Sequence, residues 1–171
     1  MIDYTELKQY VINALKTVYN DDYHLIRYPA NERRKEWNHV GERAIVFRFA
    51  HYLQNTITND RRFEKLNLDC EYNRNGKQPK RLPSFSNGTF PDVILHRRGT
   101  NDSNILVIEF KGYWNKNQNN DIEKLCEFTK QRAVYNFQLG MAIMLGEVLS
   151  DTLIFEIQDG EIISKTVLAE L

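Results

Sequence analysis

The chain has 171 residues, of which 42% are apolar and 27% charged, and its formal net charge is zero. This composition indicates a folded globular protein of ordinary domain size and excludes a disordered chain. It also excludes a uniformly basic surface, so affinity for nucleic acid has to come from local basic clusters or from metal ions that bridge to phosphate.

No stretch of the sequence approaches the roughly 18 consecutive apolar residues of a membrane span, and the N-terminus lacks the apolar core of a signal peptide. The two cysteines, Cys70 and Cys126, are not spaced as metal ligands. Two cysteines without such spacing, one in a strand-like and one in a helix-like segment, favour a reduced, cytosolic chain. We therefore expect a soluble cytoplasmic protein with no membrane contact.

The first predicted helix begins near the N-terminus. Apolar residues recur at helical spacing from Leu7 to Val18, and Asp3 with Glu6 has the pattern of a capping box. This pattern predicts an amphipathic helix of about 16 residues whose role is packing.

A second helix is predicted from about His39 to Gln54. Its apolar stripe consists of Ile45, Val46, Phe49 and Leu53. Glu42 falls on the same stripe. A carboxylate on the core-facing side is costly unless it is paired or binds a cation, whereas in the first turn of a helix it is favoured by the dipole. The sequence leaves both interpretations of Glu42 open.

Two loops carry clusters of basic residues. The first lies within residues 20–37 and contains Arg33, Arg34, Lys35 and the neighbouring Trp37. The second spans residues 75–88 and contains Lys77, Lys80 and Arg81. Glycine and proline recur in the second loop, so we expect it to be flexible. Each cluster is either solvated surface or a contact for backbone phosphate, with Trp37 stacking on a base in the second case.

Three strands are predicted over residues 68–74, 90–96 and 105–111. The last of them begins with an uninterrupted apolar run, which indicates a strand buried on both faces. Residues two apart in a strand share a face, so Glu109 and Lys111 project together at its end. Residues 97–102 have the composition of a hairpin turn, which places Asp92 and Glu109 on neighbouring antiparallel strands.

A third helix is predicted from Asp121, as N-cap, to about Gln138. It is expected to bury Ile122, Leu125, Cys126, Ala133 and Phe137. Gln131 and Tyr135, four residues apart, share another face of this helix. Further strands are predicted at 142–145, 153–157 and 162–168, with Asp159-Gly160 as a hairpin turn between the last two.

The motif Pro91-Asp92 followed by Glu109-Phe110-Lys111 resembles the signature of the PD-(D/E)xK nuclease superfamily. The order of predicted elements around it is similar to the αβββαβ core of that family, with Glu42 on the first helix. Gln131-x-x-x-Tyr135 is similar to an additional motif of the recombination-type and exonuclease branch.

The resemblance implies a restriction-endonuclease-like fold of the α/β (α+β) class, in which helices flank a central mixed β-sheet. It implies one nuclease-like domain over residues 1–171. We expect the N-terminal helix and loop at 1–38, the core at 39–145 and the C-terminal strands at 146–171.

The resemblance also implies a function, the divalent-metal-dependent hydrolysis of phosphodiester bonds in nucleic acid. The expected substrate is DNA rather than RNA, and the cleavage is expected to leave a 5′-phosphate. Mg²⁺, or Mn²⁺ in its place, would lower the pKa of a water nucleophile and neutralise phosphate charge. Its ligands would be Asp92, Glu109, the Phe110 carbonyl and, directly or through water, Glu42. Lys111 would orient or help deprotonate the attacking water and offset charge in the transition state. The residues expected to contact the substrate are Gln131, Tyr135, Lys77, Lys80 and Arg81.

Two other possibilities are consistent with the same residues. In the first, the chain is a catalytically silent nuclease-fold protein that serves as a nucleic-acid-binding or assembly module and keeps the acids for structure. In the second, a homodimer or a partner subunit supplies target recognition, because the chain has little sequence left for a separate recognition domain.

Overall fold

The computed structural model describes residues 2–27, 40–115 and 119–170. Three α-helices are present in this part of the chain: α1 (Tyr4–Asp21), α2 (Glu42–Ile57) and α3 (Asn119–Thr129). Eight strands are present: β1 (Asn67–Cys70), β2 (Arg74–Asn75), β3 (Gln78–Pro79), β4 (Val93–His96), β5 (Leu106–Lys111), β6 (Leu139–Met144), β7 (Leu153–Gln158) and β8 (Glu161–Val167). The predicted basic cluster at Arg33, Arg34 and Lys35, together with Trp37 and His39, lies outside the described residues.

Six strands form one mixed sheet in the order β1-β4-β5-β6-β7-β8. Strands β5 and β6 are parallel, and every other neighbouring pair is antiparallel. The short strands β2 and β3 form a separate antiparallel hairpin. The fold is therefore mixed α/β, with a central mixed sheet flanked by helices, as the sequence predicted.

Both faces of the central strand β5 are buried. Leu106, Ile108 and Phe110 contribute to the apolar core that includes α1 and α2. Val107 points to the other face, into the core that includes α3. This two-sided burial confirms the interpretation of the uninterrupted apolar run, and it fixes the direction in which Glu109 and Lys111 emerge from the strand.

The N-terminal helix follows its sequence signals closely. The Asp3 side chain accepts a hydrogen bond from the Thr5 amide and caps α1, whose buried residues are Leu7, Val11, Ile12, Ala14, Leu15 and Val18. Helix α2 begins at Glu42, so the predicted start at about His39 lies before the observed first residue. Gly41 is its N-cap and makes no side-chain capping bond.

The predicted extent of the third helix is wrong. Helix α3 begins at Asn119 and ends at Thr129, so Asp121 is inside the helix and not its N-cap. The Gln131 amide donates to the Asp159 carboxylate, and the Gln131 side chain donates to the Thr129 carbonyl at 3.0 Å. The bond to Asp159, in the turn between β7 and β8, and the bond to Thr129, at the end of α3, satisfy groups that a longer helix would have paired internally. They depend on tertiary structure that helical periodicity does not reveal.

Because α3 ends at Thr129, several residues that the sequence placed in this helix lie outside it. Gln131 and Tyr135 lie in an irregular segment and share no helix face. Ala133 is exposed, whereas the sequence placed it in the core. The predicted turn at Asp159-Gly160 is confirmed, with φ of 46° and 82° at its two residues, the left-handed conformation that hairpin turns of this type require.

Among residues 2–27, 40–115 and 119–170, no helix combines the length and the apolar content needed to cross a membrane.

Candidate active site

Asp92 and Glu109 are brought together by the pairing of β4 with β5. Val93 pairs with Ile108 in this antiparallel register, so the next position along places Asp92 opposite Glu109. Residues opposite each other in such a pair have Cα atoms about 5 Å apart. The Phe110 amide donates a hydrogen bond of 2.6 Å to Oδ2 of Asp92, which fixes this carboxylate against the end of β5.

The two carboxylates share a buried, electrostatically unfavourable environment. Glu109 is 2% exposed, and its Oε1 is buried without a hydrogen-bond partner among the described residues. Burial, reinforced by the charge of Asp92, raises the pKa of Glu109 well above its ordinary value. Burial also raises the pKa of Asp92 to about 6, although the hydrogen bond from Phe110 opposes this shift. Perturbed carboxylates of this kind are frequent at functional sites.

Glu42 reaches the same place from the first residue of α2. Its Oε2 accepts a hydrogen bond of 2.6 Å from the Gly112 amide, and its Oε1 lies 4.0 Å from Nζ of Lys111. Both interpretations left open by the sequence therefore apply, because Glu42 is in the first helical turn and is also paired. Helix α2 is joined in this way to the backbone that follows β5.

Lys111 is the last residue of β5, and its side chain lies among carboxylates. Its Nζ lies 2.8 Å from Oδ2 of Asp121 on α3 and 4.0 Å from Glu42. Burial alone would lower the pKa of Lys111, but the hydrogen bond and charge of Asp121, with smaller contributions from Glu42 and Asp92, raise it above its ordinary value. The Lys111 side chain is therefore held as an ammonium group at neutral pH.

Two residues of this site were missed in the sequence, Asp121 and Lys124. Nζ of Lys124 lies 3.2 Å from Oε2 of Glu109 and 3.1 Å from Oδ1 of Asp121. The sequence predicts Asp121 as a helix cap and gives no role to Lys124. Their spacing of three residues, which puts both on one helix face directly after a Glu-x-Lys strand, is the signal that would have found them.

Gln131 and Tyr135 are not brought to this site. The Asn104 side chain donates 2.6 Å to the Tyr135 carbonyl, and Gln131 contacts the carbonyl of Phe137. Asn104 precedes β5, at the opposite end of the strand from Glu109, about 16 Å away along an extended chain. Both side chains have intramolecular partners: the Gln131 side-chain amide donates to the Phe137 carbonyl, and the Tyr135 hydroxyl accepts from the Arg81 amide.

The basic loop is divided between surface and interior. Lys77 and Arg81 are exposed, but Lys80 is 2% exposed, so Lys80 does not have the solvated position expected in a flexible loop. The Arg81 amide donates to the Tyr135 hydroxyl at 2.8 Å. The loop is thus anchored at Lys80 and Arg81.

An open cavity of about 670 Å³ reaches the end of β5, although none of the carboxylates of Glu42, Asp92, Glu109 and Asp121 lines it. Its lining includes Lys111 and Gly112 from the end of β5, Arg27, and Glu147 and Asp151 from the segment after β6. A ligand in this cavity would therefore touch Lys111 directly.

The oxygen atoms of this site suit a hard divalent cation, because they belong to carboxylates. One of them, Oε1 of Glu109, has no hydrogen-bond partner among the described residues. In the described residues, however, no three His, Cys, Asp or Glu side chains are arranged as a finished metal site. Lys111 and Lys124 instead form ion pairs with Asp121 and Glu109.

Comparison of the chain with models of known protein families, with curated proteins and with solved structures found no match in any of the three.

Proposed function

We propose that this chain is a divalent-metal-dependent nuclease of the PD-(D/E)xK type, with DNA rather than RNA as its preferred substrate. The observation that carries the proposal is the placement of Asp92 opposite Glu109, with Lys111 two residues further along the same strand. Glu42 converges on the same end of β5. The hairpin alone makes Asp92 and Glu109 neighbours, whereas Glu42 is 70 residues from its partner Gly112 and reaches this place only through tertiary packing, so its convergence supports the proposal.

The order of elements gives further support. Helix α2 is followed by β1, β4, β5, α3 and β6, which is the αβββαβ order of a restriction-endonuclease-like core, with the β2–β3 hairpin inserted after β1. We propose this fold for residues 39–145. The free thiols of Cys70 and Cys126 support the proposed cytoplasmic compartment.

In this proposal Mg²⁺, or Mn²⁺, would be held by Asp92 and Glu109, with the Phe110 carbonyl and Glu42 as further oxygen donors. The bound ion would supply Lewis-acid stabilisation of phosphate charge and a more acidic water. The Phe110 amide holds Asp92 in place for this role. Glu42 is oriented by the Gly112 amide.

Lys111 would act as an electrostatic and positioning group. Because its pKa is raised, it is protonated at neutral pH and is better suited to donate hydrogen bonds to water and phosphate than to accept a proton. Asp121 fixes its Nζ at 2.8 Å, and the adjoining cavity gives the substrate access to it. Of the roles that the resemblance implies for Lys111, we therefore propose only two: it orients the attacking water, and it stabilises negative charge in the transition state.

The experiment is a cleavage assay on plasmid, linear and single-stranded DNA and on RNA, with Mg²⁺, Mn²⁺ or EDTA. Wild type, Asp92→Asn and Lys111→Met are compared with the matched control Asp102→Asn, whose side chain is 79% exposed. We expect metal-dependent cleavage in wild type and Asp102→Asn and its loss in the other two variants with folding intact. Cleavage that persists in Asp92→Asn, or its absence in wild type on every substrate, would overturn the proposal.

A second candidate function is a nucleic-acid-binding or assembly module without catalysis. It is favoured by the ion pairs of Lys111 and Lys124, which already neutralise part of the acidic cluster among the described residues. Binding of nucleic acid that does not depend on metal, without cleavage of any substrate, would identify it. Size-exclusion chromatography would show whether a homodimer or a partner subunit has to complete target recognition.

A further inference from the structure

A second cavity, of about 210 Å³, lies at the far end of β4 between the β2–β3 hairpin and the turn after β4. Its lining includes Tyr72, Arg74, Lys80, His96, Thr100 and Asn101. Two of the lining residues are cations and none carries a carboxylate. The cavity is several times larger than the roughly 30 Å³ that one water occupies in the liquid.

Lys80 is the unusual member of this lining. It is 2% exposed, and among the described residues no carboxylate lies within ion-pair distance of it. Its Nζ donates to the Arg74 carbonyl and lies 4.8 Å from the ring centre of Tyr72 and 5.5 Å from that of Tyr135. An ammonium group has three donors, and buried lysines are normally paired with an acid. Lys80 therefore has hydrogen-bonding capacity that the described protein groups do not use.

The neighbouring carboxylate, Asp69, is already committed elsewhere. Its Oδ2 lies 3.0 Å from Nε2 of His96 and 2.8 Å from Nε of Arg98, and a second nitrogen of Arg98 contacts Oδ1. Burial lowers the pKa of His96, although its hydrogen bond to Asp69 opposes the shift, so the ring is neutral at neutral pH. The positive charge facing the cavity thus comes from Lys80 and Arg74.

We propose that this cavity binds a phosphate group, either free phosphate or a terminal phosphomonoester, through Lys80 and Arg74. A dianion would provide the acceptors that the buried ammonium lacks. Gly76 and Gly99, with φ of 58° and 83°, form the two turns at the rim, and such turns can present backbone amides to an anion.

This site is separate from the proposed nuclease centre. Asp92 precedes β4 and His96 ends it, so the two positions are about 13 Å apart along the strand. The proposal does not require the chain to cleave nucleic acid, and its test contains no cleavage step.

The test is isothermal titration of the full chain with inorganic phosphate, with a nucleoside 5′-monophosphate, and with the unphosphorylated nucleoside as the negative arm. Wild type is compared with Lys80→Met, which keeps the length of the side chain, and with Lys77→Met, which removes an exposed lysine from the turn of the neighbouring β2–β3 hairpin. Circular dichroism checks folding.

We expect saturable binding in wild type and Lys77→Met and a loss of about tenfold or more in Lys80→Met, the effect of one charged hydrogen bond. Binding of phosphate alone identifies the free ion as the ligand, and binding of the monophosphate identifies an ester. Equal affinity in Lys80→Met, or no saturable binding of either ligand in wild type, would overturn the proposal. If Lys80→Met does not fold, Arg74→Gln is used as the test variant, because Arg74 is exposed. Unchanged phosphate affinity in Arg74→Gln would also overturn the proposal.

Discussion

Nζ of Lys111 lies 2.8 Å from Oδ2 of Asp121, so the lysine at the end of β5 is fixed by a carboxylate from α3. The strand thus supplies the cation and the following helix supplies the group that orients it. In the proposed enzyme, Asp121 is a positioning residue that acts through Lys111.

Asp121→Asn is expected to lower cleavage by about 10- to 100-fold, the usual effect of removing a group that orients a catalytic side chain. The loss should fall mainly on kcat. The alkaline limb of the pH–rate profile should also move to lower pH, because Asp121 raises the pKa of Lys111. Glu123→Gln, an exposed residue of the same helix, is the matched control. Equal kinetics and equal pH profiles for Asp121→Asn and the control would rule out the positioning role.

Glu42→Ala is expected to lower the free energy of unfolding by about 1–2 kcal/mol, because the part-buried Gly112 amide loses its acceptor. Urea denaturation measures this difference. Glu64→Ala removes an exposed carboxylate and should change stability by less than about 0.5 kcal/mol. A Glu42→Ala protein as stable as wild type would mean that the contact does not stabilise the fold.

Tyr135→Phe separates a structural role from a substrate contact. The variant loses the hydrogen bond between the Arg81 amide and the Tyr135 hydroxyl, and we expect it to be about 1 kcal/mol less stable. Its KM for nucleic acid should not change, because Tyr135 lies at the opposite end of β5 from Glu109. A several-fold rise in KM with unchanged stability would instead support the substrate contact that the resemblance implies.

Lys80 gives stability a pH dependence of defined sign. Burial lowers the pKa of Lys80 to about 8 in the folded chain, whereas an unfolded lysine has a pKa of about 10.4. Between these values the unfolded state binds more protons, so stability rises with pH. Relative to Lys80→Met, wild type should therefore gain unfolding free energy between about pH 7.5 and about pH 10.

Denaturation of both proteins at the two pH values measures this change. Lys77→Met, at an exposed position, should show a constant difference from wild type. A constant difference for Lys80→Met as well, or a shift of opposite sign, would contradict the burial of a charged Lys80.

The sequence was most informative where local patterns decide the structure. The capping signal at Asp3, the apolar run of β5 and the turn at Asp159-Gly160 each correspond to what the structure contains. The adjacency of Asp92 and Glu109 was predictable for the same reason, because a hairpin between two strands fixes which residues are neighbours.

Features that depend on contacts distant in sequence could not be predicted. Helix α3 stops at Thr129 because Gln131 and Asp159 provide hydrogen bonds from outside the helix, and nothing in the helical spacing indicates this. Lys80 resembles any loop lysine in the sequence, and its burial arises from packing against Tyr72 and Tyr135. Asp121 was mistaken for a cap because aspartate is favoured at both places.

The most direct test of the central claim is isothermal titration of the protein with Mn²⁺ and Mg²⁺, since it does not depend on the choice of nucleic acid. We predict one saturable site in wild type and in Asp102→Asn, and its loss in Asp92→Asn and Glu109→Gln with the fold intact. Absence of divalent-cation binding in wild type, or unchanged binding in Asp92→Asn, would contradict the account.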